Sequence, residues 1–346
     1  MDSPAASRWS RARGLLQAAI LIILFGVLVG AVAADWTNAR RVLRAADWRL
    51  LAPALIVTAL SFFCSSTAYS LACRAFGVAA RSSRLVLTGF VTMAVNNLIT
   101  LGGAGYAVGA VLLHDRDTSL RDLAAASAFN AYLYFAVGTT CLPLSLLYVI
   151  VGRRVPPRAE VGLVLVVTLG CLLAVLVNLA VFHSRFRKVL LRFLGNFIPR
   201  FIGPSIPRSL SSFDDSFTHG LGLLRCRRGH LLGLLAAIIG DWLFCAATIW
   251  FCFAALGIRL HAGVMLSGFF IAIAAGALSM LPGGMGVQDG SMAGVYALLG
   301  VPFGPALLAA VLFRVVYYLV PFALGLAVYG RLIRTASHSA EPGPTA

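Results

Sequence analysis

Charged side chains are scarce in this sequence. They make up 12% of the residues, and lysine occurs once, at Lys188. Because Lys188 is followed by Val189 rather than a serine or threonine, no P-loop exists, and nucleotide-driven transport has no motor in this chain. The seven cysteines include no C-x-x-C pair and are odd in number, which argues against a disulfide framework or a zinc knuckle. They read instead as small apolar residues within greasy runs. No H-E-x-x-H spacing occurs among the six histidines, and no cofactor is expected. Asp115, Asp117 and Asp122 are close enough to suggest a metal, but they sit beside His114 and Arg116 in a polar stretch that reads as a solvated loop.

What the sequence has in abundance is apolar surface. Hydrophobic residues are 60% of the 346, and the mean hydropathy is +0.91. That composition specifies an all-α integral membrane protein rather than a soluble globule. The net charge of +16 is almost wholly arginine. Those arginines flank apolar runs, where they anchor helix ends and attract anionic headgroups, so no nucleic-acid partner is expected.

Six stretches, 14–34, 50–73, 123–151, 161–182, 231–256 and 305–329, reach the roughly 20 residues needed to cross a hydrocarbon core of about 30 Å. Arg8, Arg11 and Arg13 before the first, and Ala31-Val32-Ala33-Ala34 at its end, also fit a signal peptide. The length of the run favours an uncleaved helix. Two further apolar stretches, 85–113 and 264–301, are placed by charge. The segment 183–230 holds nine Lys/Arg and is assigned to the cytoplasm, as are Arg331, Arg334 and the basic N-terminus. With Arg74, Arg81, Arg84, Arg116 and Arg121 also inside and Arg259 outside, each of these stretches must enter and leave by one face. They are expected as re-entrant hairpins entering from opposite sides.

Both carry the same glycine pattern at an offset of 181: Gly102-Gly103-Ala104-Gly105-Tyr106-Ala107-Val108-Gly109 and Gly283-Gly284-Met285-Gly286-Val287-Gln288-Asp289-Gly290. The expected architecture is therefore an inverted-topology repeat of about six transmembrane helices plus two glycine-broken re-entrant hairpins. Its parts are a cytoplasmic basic tail (1–13), a first membrane half (14–182), a basic amphipathic connector (183–230), the remaining second half (231–330) and a disordered tail (331–346). Leu123, Ala125, Ala126, Phe129 and Tyr134 align with Leu307, Ala309, Ala310, Phe313 and Tyr318 at an offset of 184, which sets Asn130 opposite Arg314.

Close helix packing accounts for the glycines alone. The polar residues beside them add a cavity: Asn96 and Asn97 precede the first set, and Gln288 and Asp289 lie in the second. A carboxylate and a guanidinium within apolar spans need pairing or water, so Asp289 and Arg314 are expected to share one site, either holding a lipid phosphate or closing a structural ion pair. Asp241, beside Trp242, is assigned to the membrane interface, and Asn178 receives no role. In the connector, Arg185, Arg187, Lys188 and Arg192 alternate with Phe186, Val189, Leu190 and Phe193 as on an amphipathic surface helix.

The runs Asn96-Asn97-Leu98-Ile99-Thr100-Leu101-Gly102-Gly103, Ser279-Met280-Leu281-Pro282-Gly283-Gly284-Met285-Gly286-Val287-Gln288-Asp289 and Phe313-Arg314-Val315-Val316-Tyr317-Tyr318-Leu319-Val320-Pro321-Phe322 resemble the transmembrane part of the lysylphosphatidylglycerol synthetase/flippase family. The resemblance implies movement of a lipid, aminoacylated phosphatidylglycerol in the best-known members, between leaflets. Those members carry a cytosolic aminoacyl-transferase domain after the membrane part, and with only a short Gly/Pro/Ser-rich tail after the last apolar run none is expected in this sequence. Where some members place an arginine after the first glycines, this sequence has Ala110-Val111-Leu112-Leu113.

Together these readings give a multi-pass protein of the bacterial inner membrane with both termini cytoplasmic. Its expected work is lipid flipping rather than catalysis, with anionic or aminoacylated lipids as partners, a separate lipid-modifying synthase beside it, and self-association as a homo-oligomer. The alternative is an integral-membrane transferase or an accessory protein in isoprenoid-lipid or glycolipid synthesis.

Overall fold

Long apolar runs with few breakers close their backbone hydrogen bonds internally, as a lipid environment demands, and the chain is accordingly helical. A computed structural model describes residues 36–98, 104–114, 118–151, 157–183, 228–279 and 281–338, with isolated residues 189, 218 and 222. The expected first span (14–34), the basic tail (1–13), almost all of the connector (183–230), and Gly102 and Gly103 lie outside the described residues. The order is α1 (Trp36–Ala45), a 3-10 turn (Trp48–Leu50), α2 (Leu51–Ala75), α3 (Ser82–Leu98), α4 (Ala104–Leu113), α5 (Leu120–Val151) and α6 (Pro157–Phe182). It continues with α7 (Arg228–Ala255), α8 (Ala262–Leu278), a 3-10 turn (Pro282–Gly284), α9 (Val287–Leu298), α10 (Phe303–Arg314), a π-turn (Val315–Leu319) and α11 (Val320–His338). No strand element occurs among the described residues. The last helix runs on to His338, so residues 331–338, placed in the tail by the sequence, are helical.

Among the described residues, three continuous helical stretches, Trp48–Ala75, Gly229–Ala255 and Phe303–Arg331, are long and apolar enough to cross a membrane, and Ala104–Leu113 and Ala262–Leu278 are shorter apolar helices. The distribution of side chains is that of a membrane protein. Ile56 and Phe63 leave 62% of their surface exposed and Leu243 leaves 63%. Thr58, Ser61, Ser65, Ser66, Ser70, Thr88 and Thr92 are buried. Apolar side chains that face lipid lose nothing, whereas hydroxyls need protein partners, so small polar residues collect between helices. The α2–α7 pair, the most extensive among the described residues, is built this way: Thr58 Oγ1 lies 3.1 Å from Thr248 Oγ1.

Local geometry recurs at an offset of 180. Helix α2 ends on Gly77 (φ 84°) and α7 on Gly257 (φ 76°). In each case the following residue donates its N–H back into the last turn, Val78 to the Cys73 carbonyl at 3.0 Å and Ile258 to the Phe253 carbonyl at 3.0 Å. This is the glycine-terminated cap that a left-handed residue permits. Helices α3 and α8 both begin three residues before a matched bond, Leu85 N–H to Arg81 and Met265 N–H to His261, each 3.0 Å. In packing, α3 lies against α2, α4 and α11, and α8 against α9 and α5. Leu123, Ala125, Ala126 and Phe129 are buried in the core, as are Leu307, Ala309, Ala310 and Phe313.

Candidate functional site

The stretch 264–301 is two helices joined at its glycines, the described residues of 85–113 form α3 and α4, and the joint of the second stretch packs against the end of α3. Gly283 (φ 62°) leaves so little room that a Cβ there would sit 2.7 Å from the Leu98 carbonyl oxygen, at the last residue of α3. On the first-half side, the Gly105 N–H donates to Asn96 Oδ1 at 2.9 Å, which ties the start of α4 back to α3. A side chain at Gly105 would collide with the Thr92 carbonyl, so only glycine allows this approach.

Around the second joint, the side chains expected to pair do so. Arg314 Nε donates to Asp289 Oδ1 at 2.8 Å, and Nη1 donates to the Gly283 carbonyl at 3.0 Å. The other carboxylate oxygen of Asp289 accepts the Gly286 N–H at 3.1 Å, placing a negative charge in the first turn of α9 where the helix dipole favours it. The pair thus holds a backbone with three left-handed glycines, Gly283, Gly284 and Gly286, in one conformation. Nη2 of Arg314 is buried and has no partner among the described residues. The guanidinium carbon stands 5.0 Å from the ring centre of Tyr318, whose hydroxyl accepts from Gln288 Nε2 at 2.9 Å.

Beside this joint lies a cavity of about 180 Å³. Asn96 and Asn97 of α3 line one side, and Gly284 and Gln288 of the second joint another. Tyr134 of α5, Asp241, Trp242 and Cys245 of α7, and Tyr317 and Tyr318 of the π-turn complete the polar and aromatic wall, with Ile273 and Ala277 of α8 supplying apolar surface. Tyr134 and Tyr318, equivalent in the two halves by sequence, both reach it. The volume suits a headgroup fragment rather than a whole lipid, since sites for drug-sized ligands run to about 300–1,000 Å³.

The π-turn explains how two consecutive tyrosines face one cavity. Pro321 has no N–H to offer the Tyr317 carbonyl, and the helix widens just ahead of it, with the Val320 N–H bonding to the Val315 carbonyl.

Asp241 corrects its sequence assignment. It is not interfacial: α7 starts at Arg228, so Asp241 is the fourteenth of 28 residues (241 − 228 + 1), and only 7% of its surface is exposed. Tyr134 donates to Oδ2 at 2.8 Å, Ser61 donates to Oδ1, and Ser61 Oγ lies 2.9 Å from the Tyr317 hydroxyl. Ser61 is the residue 180 positions before Asp241, the offset that also relates the caps of α2 and α7. Sequence reasoning passed over Tyr134, Tyr317, Cys245 and Ser61. The run of serines along α2, interrupted at helical spacing, was the available signal.

The remaining expected residues lie apart from the cavity wall. Asn130 is buried on α5 and donates through Nδ2 to the Tyr106 hydroxyl at 3.1 Å, while Oδ1 has no partner among the described residues. Gly109 faces Thr92 and Tyr69, and Gly290 has open space where a side chain would be. Asn178 accepts from the Tyr132 hydroxyl at 2.8 Å and links α6 to α5. No cluster of three metal-ligating side chains occurs among the described residues.

A family model described as the lysylphosphatidylglycerol synthase TM region matches residues 15–325. A UPF0104 membrane protein of Methanothermobacter thermautotrophicus is 26% identical over 159 residues, 45% of this chain and 42% of that protein. Phosphatidylglycerol lysyltransferase of Staphylococcus aureus is 29% identical over 102 residues, 29% of this chain and 12% of that protein. The chain therefore spans well under half the length of these relatives.

Proposed function

The chain belongs to the lysylphosphatidylglycerol synthase TM-region family, and we propose that it carries the polar headgroup of a membrane phospholipid from one leaflet to the other. The observation that carries this reading is a cavity that gathers Asn96, Asn97, Asp241 and Gln288 beside the second glycine joint, inside a helical body with many exposed apolar side chains among its described residues. Such a cavity lets a headgroup cross while its acyl chains stay in lipid, which removes the main barrier to spontaneous flipping.

In this reading, 14–182 and 231–330 are the halves of an inverted-topology repeat. The segments 85–113 and 264–301 are re-entrant from opposite faces, the connector 183–230 lies on the cytoplasmic surface, and both termini are cytoplasmic in a bacterial inner membrane. Discontinuous helices at the boundary between repeats are where transporters of this plan place their substrate. Asn96, Asn97 and Gln288 contact the headgroup. Arg314 and Asp289 keep the second joint in shape, and Nη2, the guanidinium nitrogen without a protein partner, offers one further contact to a phosphate oxygen. A phospholipid modified by a separate synthase is the expected cargo, in keeping with the relative named for lysyl transfer to phosphatidylglycerol.

The test is reconstitution of the purified protein into liposomes with a trace of labelled aminoacylated phospholipid or polyprenyl-phosphate lipid, followed by a leaflet-accessibility assay. Crossing faster than in protein-free liposomes is expected. An unchanged crossing rate overturns the reading, and a new lipid product on addition of a lipid-linked donor replaces it with a membrane transferase.

A further inference from the structure

The Arg314–Asp289 pair is internally neutral, so the charge that the cavity presents comes from elsewhere. That charge is Asp241. Both of its oxygens accept a hydroxyl hydrogen bond, from Ser61 and Tyr134, and no cationic side chain among the described residues reaches it. A buried carboxylate without a countercharge is costly, and a cationic ligand removes that cost. The surroundings specify the kind of cation. Tyr134, Trp242, Tyr317 and Tyr318 line the same cavity as Asp241. Aromatic walls favour a weakly hydrated organic cation over a small metal ion, which needs several oxygen ligands. The buried indole N–H of Trp242 also lacks an acceptor among the described residues, a second group left waiting for a ligand atom.

We infer that Asp241, with this aromatic wall, forms a binding site for an organic ammonium group. The inference rests on reading the cavity as the headgroup site and deepens it: the headgroup carries an amine. The carboxylate on α7 then orients such a headgroup by charge, with its amine toward Asp241.

Cys245 lines the same cavity four residues from Asp241 and supplies a native reporter that does not depend on transport. In a variant whose only cysteine is Cys245, the rates of thiol modification by aminoethyl and by sulfonatoethyl methanethiosulfonate are measured in proteoliposomes, each divided by its rate with a free thiol. The expected result is a preference for the cationic reagent on the order of tenfold, given the strength of a charge–charge interaction across a few ångströms of partly buried space. Asp241→Asn abolishes the preference and Asp241→Glu retains it. Equal normalised rates before any change at Asp241 overturn the site, so a misfolded variant does not protect the inference.

In the same background, a lipid with an alkylammonium headgroup and a free alkylammonium salt are compared as protectants of Cys245. Protection by the lipid assigns the amine to a headgroup, and protection by the free salt alone overturns that assignment. Cationic preference without lipid crossing in the liposome assay would leave the ammonium site standing and remove the flippase reading. Crossing without cationic preference would do the reverse.

Discussion

At the scale of single residues, the second joint depends on one ion pair. Arg314 gives two of its nitrogens to Asp289 and to the Gly283 carbonyl, and Asp289 gives its second oxygen to Gly286. Removing either partner strands a charge in a largely dry setting, at a cost of about 3–5 kcal/mol. Arg314→Met and Asp289→Ala should each show that loss in denaturant unfolding from detergent micelles. The double variant should lose less than the sum, with a coupling of roughly 0.5–3 kcal/mol. An additive double variant would mean that the pair does not act as a unit. This pair was legible in the sequence because two opposite charges inside apolar runs need each other. Asp241 was not, because its partners are neutral hydroxyls on two other helices, and nothing local distinguishes a mid-helix acid with a tryptophan beside it from an interfacial one.

At the scale of an element, the segment from Phe303 to His338 is two α-helices joined by a wide turn, and the turn is a consequence of Pro321. Pro321→Ala restores an N–H to the Tyr317 carbonyl and allows a regular helix, which should raise thermal stability or leave it unchanged. The same change rotates Tyr317 or Tyr318 off the cavity wall, so lipid crossing should fall while the protein remains folded. Retained crossing with a regularised helix would show that the turn has no part in the site. The second glycine joint was visible in sequence as a break, through repeated glycines beside polar residues. The π-turn was not, because a proline inside an apolar run announces a kink without saying which residues it will turn inward.

At the scale of the whole molecule, spacing in the sequence has local echoes in the structure: two helix caps and two helix starts recur at an offset of 180, and both aligned apolar runs are buried. Orientation in the bilayer is a separate matter, because charge rules speak to sides and interhelical contacts do not. Single cysteines at Ala104 and Met285 in a cysteine-free background, probed with an impermeant maleimide, should label from opposite faces. Labelling of both from one face would exclude the inverted repeat. Beyond topology, the contact between Gly283 and the Leu98 carbonyl has a mechanical meaning. The end of one half's broken helix is the surface against which the other half's break closes, with no side chain between them to act as a cushion. In the proposed transport the second joint and the end of α3 are then the two parts of one latch, and opening the cavity toward a leaflet would displace both.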